Sequence, residues 1–308
     1  MKETKLRKRL VIGDIHGHLD TAKAVYEREN PDDVIILGDY FDSFHGTDKE
    51  ILDCFKTLLE MKRSHEKSGH GLFTLLIGNH DFQYIDMSER YSGRRKSYEI
   101  EAHVLLTDNL ERGNLQWYVV DDMNRTVYSH AGIMNAWLSE NRLFINDLHD
   151  LENIDMSKYK FTHRGGDSGY GDGPFASPIW VRPSTLVYDM YKDTSGWTWT
   201  QIVGHTNRNM PSIYCGHGFD INRGEHDYVY EQDYEGLLSQ YNTNEWPMLY
   251  VIDSMPYYYI IELIDDETKR VIKRTVKRNE DYPLLERNKP LSKAEEEYLK
   301  HFKDLLGL

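Results

Sequence analysis

The chain has 308 residues, 39% of them apolar and 12% aromatic, which is enough core-forming material to exclude wholesale disorder. Lys and Arg number 37 against 51 Asp and Glu, a formal charge of −14, so a broad phosphate-binding surface for nucleic acid is not expected, although a small local one is still allowed. Two cysteines, Cys54 and Cys215, exclude a disulfide framework and a structural zinc site of their own, and no apolar run approaches the roughly 20 residues that span a bilayer.

At about 150 residues per domain, the length fits two domains or one large α/β domain. Met1 to Arg9 is basic and leads straight into a strand-like run, without the longer apolar stretch and small-residue cleavage site of a signal peptide. A soluble, cytoplasmic chain is therefore expected.

Short β-branched runs recur, and each ends in glycine, acid or histidine. Leu10-Val11-Ile12 runs into Gly13-Asp14-Ile15-His16-Gly17. A helical pattern follows over Leu19 to Glu29, with Leu19, Ala22 and Tyr26 on one face. Val34 to Leu37 runs into Gly38-Asp39-Tyr40-Phe41-Asp42. The next helix is predicted over Lys49 to Lys62, with Leu52, Phe55, Leu58, Leu59 and Lys62 at three-to-four spacing. Leu72 to Ile77 runs into Gly78-Asn79-His80-Asp81, Thr126 to Tyr128 into Ser129-His130-Ala131-Gly132, and Ile202-Val203 into Gly204-His205-Thr206. Continuous apolar runs of this kind read as strands buried on both faces. Strand–helix–strand alternation then implies a largely parallel sheet, whose ligands bind beyond the carboxyl ends of the strands. Every polar cluster named here sits at such an end.

The rest of the chain is less regular. About 141–178 has little periodicity, and Arg164 to Pro174 is glycine-rich loop. A second irregular stretch, Tyr214 to Pro247, is rich in Tyr, Asp and Glu. Met248 to Asp253, Tyr257 to Ile264 and Arg270 to Val276 read as strands, antiparallel hairpins among them. Ser292-Lys-Ala-Glu295 is a capping box that opens a tail helix with Tyr298, Phe302, Leu305 and Leu306 on its apolar face. These boundaries predict a main domain over 1–282 with inserts at about 141–178 and 214–247, and an amphipathic helix over 283–308 packed on it.

The strand ends offer Asp14, His16, Asp39, Asn79, His130 and His205, which are oxygen and imidazole donors without a thiolate. That set suits a borderline divalent ion better than Ca²⁺. Six donors are too many for one open tetrahedral site and fit two metals that share a carboxylate. Each cluster alone is a weak signal, because a lone Asp-x-His is more often solvated surface. The conjunction of five, each closing a strand, makes it strong.

These five motifs resemble the signature of the calcineurin-like metallophosphoesterase superfamily, and more narrowly its phosphoprotein phosphatase (serine/threonine phosphatase-like) branch of bacterial and phage type. The likeness covers about 9–265. It implies an α/β fold, a four-layer αββα sandwich with a binuclear metal site at the carboxyl ends of the strands. It also implies two divalent metal ions, Mn²⁺ first with Fe, Zn or Ni as alternatives. Asp14 and His16 would hold the first metal, Asp39 would bridge, and Asn79, His130 and His205 would hold the second. His80 would be the general acid, oriented by Asp42, as metal-activated water attacks a phosphate ester.

Two departures bear on the substrate. Phosphoprotein phosphatases follow the second motif with Arg-Gly, where this chain has Ser43-Phe44, and the position before Gly78 is Ile77. Phosphate binding must therefore use another group in place of that bidentate clamp or rely more on metal. Arg182, in Trp180-Val-Arg-Pro183, is the first candidate, with Arg164, Arg94 and Arg95 behind it. His18, His45, His163, His217 and His226 read as loop histidines, and Asp253 as structural. A phosphorylated protein is the leading substrate. A dinucleoside polyphosphate, a nucleotide or nucleic-acid phosphoester and a small phosphomonoester compete with it, and a non-catalytic binding scaffold is the rival from another class.

Overall fold

The computed structural model describes residues 5–42, 46–86, 96–145, 147–159, 161, 171, 173, 175–192, 199–206, 212–215, 219–220, 248–252 and 258–279. The expectations for Ser43, Phe44, His45, Arg94, Arg95, His163, Arg164, His217, His226, Asp253 and the 283–308 helix lie outside the described residues, as do most of the glycine-rich loop and of the second insert.

Two six-stranded sheets form the body. The apolar runs near the amino terminus become β1 (Leu6–Ile12), β2 (Asp33–Ile36) and β3 (Phe73–Leu76), which lie parallel, with Leu10 opposite Val34 and Val34 opposite Phe73. A short β4 (Leu115–Gln116) extends this sheet in parallel. The second sheet contains β5 (Tyr118–Asp121), β6 (Thr126–Ser129), β7 (Thr200–Val203), β8 (Ser212–Cys215), β9 (Phe219–Asp220) and β10 (Met248–Val251), with β6, β7 and β10 parallel to one another. The predicted carboxyl-terminal hairpin is β11 (Tyr258–Asp265) with β12 (Val271–Arg278). It returns to the first sheet, where β11 runs antiparallel to β1, so the orders are β12-β11-β1-β2-β3-β4 and β5-β6-β7-β10-β8-β9.

Side chains alternate along each strand, and this divides the core into layers. Val11, Ile35, Leu37 and Leu76 of one sheet meet Tyr128, Ile202, Met248 and Tyr250 of the other in a buried cluster between the sheets. The residues that alternate with them, such as Leu10, Val34, Ile36 and Leu75, are buried with side chains of α1 (Leu19–Glu29), α2 (Asp48–Lys67) and α4 (Lys96–Glu111). Val127, Val203 and Leu249 are buried with side chains of α5 (Asn135–Glu140) and α6 (Pro183–Lys192). The expected layering of helices, sheet, sheet and helices is what these two faces produce. A short α3 (Asn79–Ile85) starts directly beyond β3.

Several local expectations change. In α1 it is Val25 that is buried, with Thr21, Ala22 and Glu29, while Leu19 and Tyr26 pack at the margin. Helix α2 begins at a capping box, where Thr47 Oγ1 accepts from Glu50 N at 3.3 Å and Glu50 Oε2 accepts from Thr47 N at 2.6 Å. It runs on to Lys67, past the predicted end, because His65 is buried and ties Tyr26 to the carbonyl of Asp32. The first irregular segment contains two short 3₁₀ turns, Leu148–Asn153 and Met156–Lys158. The second, read as irregular from Tyr214 onward, starts inside β8 and includes β9.

Candidate metal centre

Both sheets deliver their strand ends to one place. Asp14 and His16 follow β1, Asp39 and Asp42 follow β2, Asn79 and His80 open α3 beyond β3, His130 follows β6 and His205 follows β7. Asp14, Asp39, Asn79, His130 and His205 are all buried. Asp39 is at the centre: its Oδ2 lies 3.4 Å from His16 Nε2 and 3.5 Å from His130 Nε2. Asp14 lies 3.9 Å from His16 Nε2 and 3.8 Å from His130 Nδ1. Asn79 Oδ1 is 2.8 Å from both His130 Nε2 and His205 Nδ1. Ligand atoms of His16, Asp39 and His80, and of Asp14, Asp39 and His130, fall within 4.8 Å of one another, with Asp39 common to both groups.

The backbone partners of the imidazoles tell where their lone pairs point. His16 Nδ1 faces Phe41 O at 3.3 Å, His130 Nδ1 faces Leu37 O at 2.9 Å, and His205 Nε2 faces Trp180 O at 3.0 Å. A carbonyl oxygen only accepts, so each of these nitrogens carries the N–H. The other nitrogen of each ring then turns a lone pair inward, toward the carboxylate of Asp39 or the amide oxygen of Asn79. Burial favours neutral rings and outweighs the pull of Asp39, lowering the pKa of His16 to about 4. Burial lowers His130 as well, and holds His205 well below the usual imidazole range, with His130 and Arg182 adding to its shift. Lone pairs without protons between them converge here on buried carboxylates, and that donor chemistry fits divalent cations. Burial works against the charge on Asp39, but the imidazoles crowded around it, of which His80 is the one that favours its charged form, keep its pKa below the usual carboxylate range.

His80 differs from these three. Its Nδ1 lies 3.3 Å from Asp42 Oδ2, and its backbone N–H donates to Asp39 Oδ1 at 2.9 Å. Burial alone would lower its pKa, but Asp39 and Asp42 outweigh burial and raise it to about 9. Its Nδ1 already faces Asp42, and the raised pKa favours the doubly protonated ring, which offers a metal no lone pair.

The backbone at the site is unusual. Eight non-glycine residues among those described have positive φ, and His16, Asp39, Asp42 and His205 are four of them, at 40°, 52°, 57° and 64°. Such residues persist only where the surroundings hold them. Asp81 does part of this holding. Its Oδ1 accepts from the N–H groups of Tyr40 at 2.8 Å and Phe41 at 3.2 Å, and its Oδ2 from Asp39 at 2.8 Å and Gly78 at 2.9 Å. Burial and the nearby Asp39 charge raise the pKa of Asp81, while these N–H donors pull the other way. Two glycines are required by close approach: a Cβ on Gly78 would lie 2.0 Å from Asp39 Oδ1, and one on Gly204 would lie 2.1 Å from Asp14 Oδ1.

Arg182 lies beside the site, with Nη1 3.5 Å from His205 O and 3.4 Å from Thr206 Oγ1. Its rivals Arg94, Arg95 and Arg164 lie outside the described residues. Sequence reasoning missed the carbonyls of Phe41, Leu37 and Trp180, which have no side-chain signature. It also missed Asp81, Gln83 and Tyr84 on α3, where a Gly-Asn-His-Asp motif at a helix start was the available cue.

The profile of the family described as calcineurin-like phosphoesterase matches residues 7–220. Among solved structures, a protein serine/threonine phosphatase from Saccharomyces cerevisiae with similarity to human phosphatase PP5 aligns over 88% of this chain and 79% of its own, at 14% identity and a TM-score of 0.42. The purple acid phosphatase PPD1 from yellow lupin (Lupinus luteus) seeds aligns over 92% of this chain and 55% of its own, at 10% identity and a TM-score of 0.38. No curated protein sequence matches.

Proposed function

The chain belongs to the calcineurin-like phosphoesterase family and is a metal-dependent phosphoesterase, and from that premise we propose that it acts as a serine/threonine phosphatase-like enzyme of the bacterial and phage type. In this reading Asp14, His16 and Asp39 hold one divalent ion, and Asp39, Asn79, His130 and His205 hold another. Mn²⁺ is the proposed metal, since the donors are oxygens and imidazoles without a thiolate. The observation that supports the reading most is that one oxygen of Asp39, Oδ2, lies 3.4 Å from His16 Nε2 of the first set and 3.5 Å from His130 Nε2 of the second.

Ions bound there supply Lewis acidity, polarising phosphate oxygens and acidifying water. The remaining work belongs to side chains. The carbonyl-anchored rings of His16, His130 and His205 keep their lone pairs aimed inward without rotating. His80 holds a proton at Nε2, with Nδ1 fixed on Asp42, and gives it to the leaving oxygen. Arg182 offers a forked cation to the phosphate from beside His205, in place of the arginine absent after Asp42. Among the described residues no helix is long and apolar enough to cross a membrane.

Turnover with Mn²⁺ of p-nitrophenyl phosphate, bis-p-nitrophenyl phosphate, diadenosine tetraphosphate and a phosphothreonine peptide tests the substrate class. The reading predicts that the two monoesters lead. Faster turnover of the diester or of the dinucleotide would replace it with a phosphodiesterase or polyphosphate hydrolase.

A further inference from the structure

We propose, on the reading of His80 as proton donor, that Gln83 and Tyr84 are positioning residues that set His80 through Asp42. Asp42 has a left-handed backbone, φ 57°, a conformation that persists only where the surroundings hold it. Three side-chain donors meet on its carboxylate. His80 Nδ1 lies 3.3 Å from Oδ2, Gln83 Nε2 donates to the same oxygen, and the Tyr84 hydroxyl donates to Oδ1.

Gln83 and Tyr84 sit on α3, the helix whose first residues are Asn79 and His80. Gln83 Nε2 also reaches the carbonyl of His80, at 3.2 Å. The Tyr84 ring is buried, with its centroid 5.6 Å from those of Phe41 and Tyr98, and its carbonyl faces His103 Nδ1 at 2.7 Å. The core therefore fixes the phenol, the phenol fixes Oδ1, and Oδ2 is left facing His80. Rotating the carboxylate away would break the bonds to Tyr84 and Gln83 together. Holding the proton donor in one rotamer is worth rate only when the leaving group needs the proton, and that makes the effect separable from simple stability.

The test compares Tyr84→Phe, which removes one oxygen and keeps the ring, and Gln83→Met, which keeps length. Both are assayed as Mn²⁺-loaded full chains on phenyl phosphate, a poor leaving group, and p-nitrophenyl phosphate, a good one. Each variant should lose about tenfold in kcat on phenyl phosphate while changing less than about twofold on p-nitrophenyl phosphate, at unchanged KM and manganese content. The ratio of the two substrates is read within one sample, so a partly unfolded preparation does not alter it, and Gln83→Met decides if Tyr84→Phe fails to fold. Equal losses on both substrates, or none on phenyl phosphate, overturn the proposal. His80→Asn separates the two layers: leaving-group dependence there without it in the positioning variants sinks only the role of Gln83 and Tyr84. Its absence in His80→Asn removes the proton-donor reading itself.

Discussion

Replacing Glu262 by glutamine takes one charge out of a buried cluster that joins the two sheets. Glu262 is fully buried on β11; its Oε2 accepts from Arg9 at 3.0 Å and from the Tyr128 hydroxyl at 2.6 Å, and its Oε1 accepts from Arg274 Nε at 2.7 Å. Arg9 has a second anion in Asp121 at 2.8 Å, but Arg274 is left with Thr126 Oγ1 at 3.3 Å and the face of Tyr250 at 5.1 Å. Arg9 would then keep a carboxylate in Asp121 while Arg274 keeps none, so Arg274 takes most of the loss. Breaking a buried ion pair from one side costs about 3–5 kcal/mol, which for a chain of this size is a fall in Tm on the order of 10 °C. The pH dependence has a definite sign. Burial raises the pKa of Glu262, but Arg274 and Arg9 outweigh it, so the folded value lies below the ordinary 4.5. Its contribution is therefore full above the unfolded pKa and fades as pH falls through the folded one. Thermal unfolding followed by circular dichroism should show the full gap between wild type and Glu262→Gln at pH 7 and a smaller one near pH 3. Lys56→Ala, which opens an exposed pair with Glu101, should move Tm by little, within about 1 kcal/mol. A Glu262→Gln protein within about 2 °C of wild type at pH 7, or a gap that does not change with pH, would refute the reasoning.

Two further outcomes follow from the site. Gly204→Ala puts a methyl on the Asp14 carboxylate, 2.1 Å from Oδ1, and should weaken manganese affinity by about 10–100-fold in calorimetric titration while the fold survives. Arg182→Ala should raise KM for phosphomonoesters by about tenfold, and Arg182→Lys should recover little of it, because an ammonium cannot copy a forked donor. Unchanged KM in both Arg182 variants would place the phosphate clamp elsewhere.

The strand ends were legible because the physics there is simple. Strands buried on both faces read as unbroken apolar runs, and each run stops at the polar residue it delivers, as Leu75-Leu76-Ile77 stops before Asn79. Helix α4 was not legible, because Ile100 and Val104 are half-exposed and opposite faces of the helix carry similar side chains. Strand β4 has two residues, too few for any period. Glu262 sits inside an apolar strand, and nothing in Tyr258 to Asp265 announces that its partners come from β1, β6 and β12. Within the site, the residue types were readable but the orientation was not. The inward lone pairs of His16, His130 and His205 depend on backbone carbonyls, and every residue has one of those.

The most direct measurement is anomalous diffraction from crystals grown with Mn²⁺. Two peaks flanking Asp39 are predicted, one reached by Asp14 and His16 and the other by Asn79, His130 and His205, with both lost in Asp39→Asn. A single ion, peaks away from Asp39, or a pair that persists in Asp39→Asn would contradict the account.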